Sequence, residues 1–204
     1  MVAAIFKKNT LEQTNFELLV DGFIYAGLTY SFSEVDEIRS LRRVLETKTL
    51  LVGSDCDHSI SVVFGMKSGE QIQLTEQSTW TGKSSAEKVK AIEEIYSEVA
   101  RRTFESRMKK YLVQIRDSGY FVYSGWHFFP AQRKIVNMGS RRAYSTQTSK
   151  LLKSNGFIEV VSETDGLGEK LRRKVSGPVG FGTLIDSDVF FALLRHNFGL
   201  AWNP

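Results

Sequence analysis

Cysteine is almost missing from this chain. Cys56 is the only one among 204 residues, so no internal disulfide can form and a cysteine-rich zinc centre is excluded. Histidine is scarce as well: His58, His127 and His196 leave little for acid–base relays or nitrogen ligation of a metal. No apolar run approaches the roughly 18 residues that a membrane span needs. The opening MVAAIFKKNT is short and turns polar too early for a secretory leader. These shortages lead us to expect a cytoplasmic or otherwise reducing compartment, no transmembrane segment and no cofactor.

The rest has the balance of an ordinary folded protein, with 42% hydrophobic and 25% charged residues. The length fits one large domain or two small ones, with apolar surface enough to build a core without cross-links. Charge is unevenly placed. Residues 1–83 hold 8 basic and 11 acidic side chains, residues 84–118 hold 8 and 6, and residues 119–204 hold 11 and 6. The expected organisation follows this division: a β-rich N-terminal half over 1–83, a long bridging helix over 84–118, and a basic β-rich half over 119–204 with a terminal helix.

Apolar alternation marks the strands. FELLV and FIYAGLTYSF flank Asp21-Gly22, a dipeptide suited to a type I′ hairpin turn because both central residues need positive φ. SISVVFG and EQIQLTE flank a second turn at Met66-Lys67-Ser68-Gly69. Residues 33–46 are ambiguous. Val35, Ile38, Leu41 and Leu45 have helical spacing behind Ser33, but TKTLLV favours extension, and we read strand. Residues 85–117 are plainly helical: Val89, Ile92, Tyr96, Val99, Thr103, Met108, Tyr111 and Ile115 form a stripe opposite a charged face. Ser118-Gly119 stops the helix. In the last third, GYFVYSGWHFF reads as one strand with Tyr120, Trp126 and Phe128 on one side and Phe121, Tyr123 and Phe129 on the other. RKIVNMG returns from the turn at Pro130, and FIEVVSE is a further strand. Residues 164–180 mix glycine and charge as a loop would. Asp186 or Ser187 caps a short, mostly apolar helix that Gly199 ends.

The fold class expected is therefore α+β: an antiparallel meander or barrel with a long amphipathic helix, then a smaller β-rich half ending in a short buried helix. In its element order the stretch 1–117 resembles the pleckstrin-homology-like fold, and the order recurs, degenerate, in the rest. That resemblance implies a helix-capped barrel used for binding rather than catalysis. The basic first-hairpin loop of phosphoinositide binders is absent here, since that loop reads Asp21-Gly22.

Four stretches invite a chemical reading. Gly82-Lys83-Ser84 before a helix is half of a phosphate-binding loop, but Gln77 stands where the first glycine belongs and EQIQLTEQ alternates polar with apolar. Ser84 or Ser85 with Glu87 or Lys88 reads as a helix cap, and nucleotide binding is not expected. Asp55, Cys56, Asp57 and His58 cluster in one turn, which a polar hairpin loop explains without a metal. GYFVY is similar in part to the aromatic strand of RNA-recognition domains, but Ser118 replaces the basic residue and nothing small follows Tyr120, so core packing is expected. The basic clusters carry most weight. Arg102, Lys109 and Arg116 repeat every seven residues on one helix face, with Arg101, Arg107 and Lys110 nearby. Arg133, Lys134, Arg141, Arg142, Lys150 and Lys153 follow, and then Lys170, Arg172, Arg173 and Lys174. If Arg141 and Arg142 lie beside the helix face, a groove for phosphates results. The alternative is a solvated face that Glu98 and Glu105 partly neutralise.

Three functions are weighed on these residues. The first is a non-enzymatic binding module for a protein partner or its own copy. The second is a nucleic-acid-binding protein using Arg102, Lys109, Arg116 and residues 133–153. An enzyme is the least supported, because no nucleophile–base or paired-carboxylate constellation emerges.

Overall fold

The computed structural model describes residues 15–49, 53–78, 83–154, 157–162, 180–181 and 185–199, with side chains for 15–41, 59–76, 87–149 and 185–199. The chain is a mixed α+β protein, with antiparallel sheets and, among the described residues, one long and one short α-helix. It divides into two compact units, residues 1–107 and 108–204. Among the described residues the sheets are open meanders and none closes into a barrel. No described helix is long and apolar enough to cross a membrane.

The first unit opens with β1 (Phe16–Leu18), β2 (Gly22–Tyr25) and β3 (Leu28–Ser31). The turn between β1 and β2 differs from the sequence expectation. Leu18 pairs with Phe23 and the Leu19 N–H donates to the Gly22 carbonyl at 2.9 Å, so the central residues are Val20 and Asp21, neither at positive φ. The type I′ geometry lies five residues on, at Ala26 (φ +50°) and Gly27 (φ +82°), inside what reads as a single strand. Gly22 serves a different end. It pairs with Ser31, and a Cβ there would sit 2.0 Å from the Tyr30 carbonyl oxygen. Only glycine lets β2 and β3 come that close.

Ser31 then caps a single 3₁₀ turn (Phe32–Glu34) with a reciprocal capping box to Glu34. A three-stranded sheet follows, β4 (Val35–Thr49), β5 (Gly53–Met66) and β6 (Gln71–Ser78), in sequential order. The ambiguous stretch 33–46 is thus mostly strand. A register shift between Val35 and Glu37 resets the alternation, so Val35 and Ile38 are both buried despite their odd spacing. Asp55 to His58 pair with Thr47 to Val44 in β4, so they lie in a strand and not in a loop. The turn at residues 66–69 is as expected, closed by the Gly69 N–H to the Met66 carbonyl.

Helix α1 (Lys83–Ser118) is already helical at Lys83. Ser84 and Ser85 therefore fall inside its first turn, and the cap position lies outside the described residues. Within the first unit α1 buries Val89, Ile92, Ile95 and Val99 with Phe16, Phe23 and Phe64 of the sheets. Phe16 and Phe23 stack with centroids 4.8 Å apart, and Phe64 stands 5.9 Å from Phe23. The Gly119 N–H returns to the Ile115 carbonyl and closes the helix at φ +77°.

The second unit holds a four-stranded meander of β7 (Phe121–Tyr123), β8 (Trp126–Phe129), β9 (Lys134–Asn137) and β10 (Arg142–Ser145). A three-stranded sheet of β11 (Ser149–Ser154), β12 (Phe157–Ser162) and β13 (Gly180–Phe181) comes next, then helix α2 (Ser187–Phe198). GYFVYSGWHFF is not one strand but a hairpin turned at Ser124 (φ +47°) and Gly125 (φ +78°). Phe121 and Tyr123 consequently share a face with Trp126 and Phe128, all buried. Asp186 occupies the cap position of α2 with φ +46° but makes no side-chain cap bond; its carboxylate accepts from the Tyr111 hydroxyl at 3.2 Å. Gly199 ends α2 as expected, and Val189, Phe190, Leu193, Leu194 and Phe198 are buried.

Both units therefore run from a meander to a three-stranded sheet to a helix. A two-residue hairpin of positive-φ turn residues also recurs in each, Phe23-Ile24-Tyr25-Ala26-Gly27-Leu28 against Phe121-Val122-Tyr123-Ser124-Gly125-Trp126.

Gly22→Ala is expected to destabilise the chain by about 3 kcal/mol, since backbone and not a flexible side chain blocks the new methyl group. Gly27→Asn, at a turn position open to solvent, is expected to cost under about 1 kcal/mol. Urea unfolding midpoints decide, and equal losses would refute the close-approach account.

Candidate functional site

No aspartate or glutamate occurs between Asp117 and Glu159, while Arg133, Lys134, Arg141, Arg142, Lys150 and Lys153 all do. The whole four-stranded sheet is built from this stretch. It therefore carries four cations on its hairpin ends and no acid of its own. The charged side chains that the sheet itself contributes are therefore all of one sign.

The cations sit in two similar loops. Residues 130–133 join β8 to β9, and residues 138–141 join β9 to β10. Each loop ends on an arginine in the left-handed conformation, Arg133 at φ +47° and Arg141 at φ +56°, directly before Lys134 and Arg142. Glycine or asparagine is the usual occupant, and a long side chain there costs on the order of 1 kcal/mol. The Arg133 carbonyl accepts from both the N–H (2.9 Å) and the hydroxyl (3.0 Å) of Thr146, which fixes this backbone. In the second loop the Ser140 N–H donates to Asn137 Oδ1 at 2.8 Å. Arg133, Arg141 and Arg142 are exposed and Lys134 is half-buried.

The two faces of this sheet differ sharply. On the inner face Phe121 stacks on Phe128 at 4.8 Å, Tyr123 stacks on Phe190 of α2 at 3.7 Å, and Tyr111 meets Phe121 edge-on at 5.9 Å. Burial pushes the Tyr123 phenol far above its usual range. The outer face carries Tyr120, His127 and Phe129, all half-buried. Tyr120 stacks on His127 at 4.8 Å, and Phe129 lies 5.2 Å from Tyr120 and 6.3 Å from His127. Register places Lys134 directly beside Phe129, and the exposed Val122 beside His127.

The helix cations have other employment. Arg102 belongs to the first unit. Its Nη1 donates to the carbonyls of Leu19 (2.8 Å) and Val20 (2.7 Å), its Nε pairs with Glu98, and its guanidinium lies 5.2 Å over the Phe32 ring. It clamps the β1–β2 turn to α1. Arg107 is 1% exposed, donating to Thr103 Oγ1 at 3.0 Å and the Ala100 carbonyl at 2.9 Å, so it stands in the core and not on a basic face. Lys109 and Arg116 belong to the second unit and are exposed, with Arg116 paired to Asp117 at 2.7 Å. That pair holds the Asp117 carboxyl below its usual range. The sheet thus gathers Arg133, Lys134, Arg141 and Arg142, whereas the seven-residue helix repeat does not yield a uniform free face.

The remaining motifs place simply. β6, ahead of Gly82-Lys83-Ser84, is antiparallel to β5 and not the centre of a parallel sheet. The side chains of Asp55 to His58, Lys150 and Lys153, and residues 170–174 altogether, lie outside the described set. Among the described residues no three His, Cys, Asp or Glu side chains converge as metal ligands. No family model, curated protein or solved structure matches this chain significantly. Continuous strand alternation through Ser124-Gly125 would scatter these three rings over two faces, and the turn there brings them together. The acid-free run was the other available signal.

Glu98 anchors the clamp. Hydrogen bonding from Arg101 lowers its carboxyl to about 2; partial burial opposes this, and Arg102 adds to the lowering. A carboxyl depressed on folding stabilises above its usual 4.5 and loses that contribution as pH falls toward 2. The stability deficit of Glu98→Gln against the native chain, read by urea unfolding, should therefore be full at pH 7 and close between pH 4.5 and 2. Arg102→Ala should cost roughly 2 kcal/mol, and Arg102→Lys should restore only part, because an ammonium cannot reproduce the guanidinium fork.

Proposed function

We propose that this chain is a non-enzymatic binding protein of two pleckstrin-homology-like units, and that its ligand is nucleic acid held by the four-stranded sheet of the second unit. The observation that carries the reading is the acid-free sheet with its paired cations, Arg133-Lys134 and Arg141-Arg142. Four residues of β9 span on the order of 10 Å between these pairs. An extended polyanion fits that spread better than a single phosphate does. Two arginines held at disfavoured backbone positions support use of the loops, since strain of this kind collects at binding sites. The like element order of the two units supports the pleckstrin-homology-like assignment.

Fluorescence anisotropy of labelled DNA and RNA across a salt series tests the proposal. The expected result is micromolar or tighter binding at low salt, with log K falling against log salt at a slope of roughly −2 to −3 for three or four phosphate contacts. Arg133→Glu and Lys134→Glu should weaken binding and reduce the slope. No binding at low salt overturns it. The reading left would be a protein partner or self-association, supported by Val20 (54% exposed) and Leu28 (60% exposed) near an open groove that Glu17, Asp21 and Thr29 help to line.

A further inference from the structure

The β7–β8 hairpin turns four aromatic residues to the core side: Phe121, Tyr123, Trp126 and Phe128 are all buried against the inner face. Tyr120, His127 and Phe129 are not needed there. They stand on the opposite face, half in water, and their ring contacts are chiefly with one another. On the same face the neighbouring strands supply short or aliphatic side chains. The row Val122–His127–Val136–Ala143 crosses the sheet, and beside it runs the row Phe129–Lys134–Ser145 with Tyr120 at its end. The result is three rings at one edge, a low floor toward β10, and one cation between them.

We infer that this outer face binds single-stranded nucleic acid, stacking unpaired bases on the Tyr120–His127–Phe129 cluster while Lys134 and the adjoining Arg133 hold phosphates of the same strand. The inference rests on the nucleic-acid reading above and narrows it. Every base has a flat π-face, so stacking on aromatic side chains is tolerant of sequence, and a charged track beside the rings follows the backbone. A duplex keeps its bases stacked on each other and can offer this face only phosphates. A protein partner would need acidic groups for the same cations but would leave the exposed rings without a matching requirement. The field and the rings together therefore favour a polymer that alternates anionic and aromatic groups.

The test uses the full chain and three probes: a labelled single-stranded oligonucleotide, a duplex of equal length, and inorganic polyphosphate as competitor. The single strand should bind at least ten-fold more tightly than the duplex at equal salt. Tyr120→Ala and Phe129→Ala should each weaken single-strand binding by roughly ten-fold and leave polyphosphate competition unchanged. Phe129→Leu keeps apolar bulk without a ring and should lose as much as the alanine variant; Phe129→Trp should retain the affinity. Lys134→Ala should weaken all three probes together. If no probe binds, polyphosphate included, the nucleic-acid reading itself fails. If duplex and single strand bind alike and Phe129→Leu binds as the native chain does, the stacking inference falls and the broader reading stands.

Discussion

A two-residue turn governs which aromatic side chains of the second unit meet. Strand side chains alternate with a period of two, so a hairpin of fixed loop length fixes which residues share a face. With Ser124-Gly125 as the loop, Tyr123 lies opposite Trp126 and Phe121 opposite Phe128, and those four rings become core. The same geometry sends Tyr120, His127 and Phe129 to the other side. One inserted residue would invert β8 relative to β7, turning His127 and Phe129 inward and Trp126 and Phe128 outward while Phe121 and Tyr123 kept their face. The first unit uses the same device at Ala26-Gly27, where Phe23 and Tyr30 are brought within 5.4 Å as stacked core rings. The two ring populations, one structural and one facing solvent, are thus a single consequence of turn length.

Cations in this chain are divided by the same logic of what surrounds them. On α1 the backbone and Glu98 supply acceptors, and Arg101, Arg102 and Arg107 are drawn into structural bonds. The four-stranded sheet contains no carboxylate of its own, and Arg133, Arg141 and Arg142 are exposed. A count of basic residues treats these positions alike. The distinction lies in whether acceptors are within reach, and that is a property of the fold.

The strands and helices were largely legible from sequence, because alternation and the uninterrupted stripe of residues 85–117 are strong periodic signals. The turns were less so. Asp21-Gly22 looked like the type I′ pair, but the closeness of Tyr30 required a glycine at position 22 for another reason and moved the turn back by one residue. Helical spacing at Val35 and Ile38 was produced by a bulge that no periodicity reveals. Of the candidate site, Arg133, Lys134, Arg141 and Arg142 were legible as a basic cluster. Their neighbours Tyr120, His127 and Phe129 were not, since reading through Ser124-Gly125 as strand scattered them across two faces. Arg102 and Arg107 misled for the opposite reason: seven-residue spacing and charge describe a helix surface only where nothing else packs on it.

The acid-free sheet also has a bearing on how the molecule tolerates its medium. Arg133 and Lys134 are adjacent, as are Arg141 and Arg142, and the sheet itself supplies no carboxylate to offset their repulsion. Dissolved counterions are the available substitute, with a screening length near 10 Å at 0.1 M. Rising ionic strength should then steady the β8–β9–β10 hairpins while it loosens whatever anion they hold. The unit would be at its most robust in the conditions where it is least occupied, and a bound polyanion would replace the counterions it displaces as the stabilising partner.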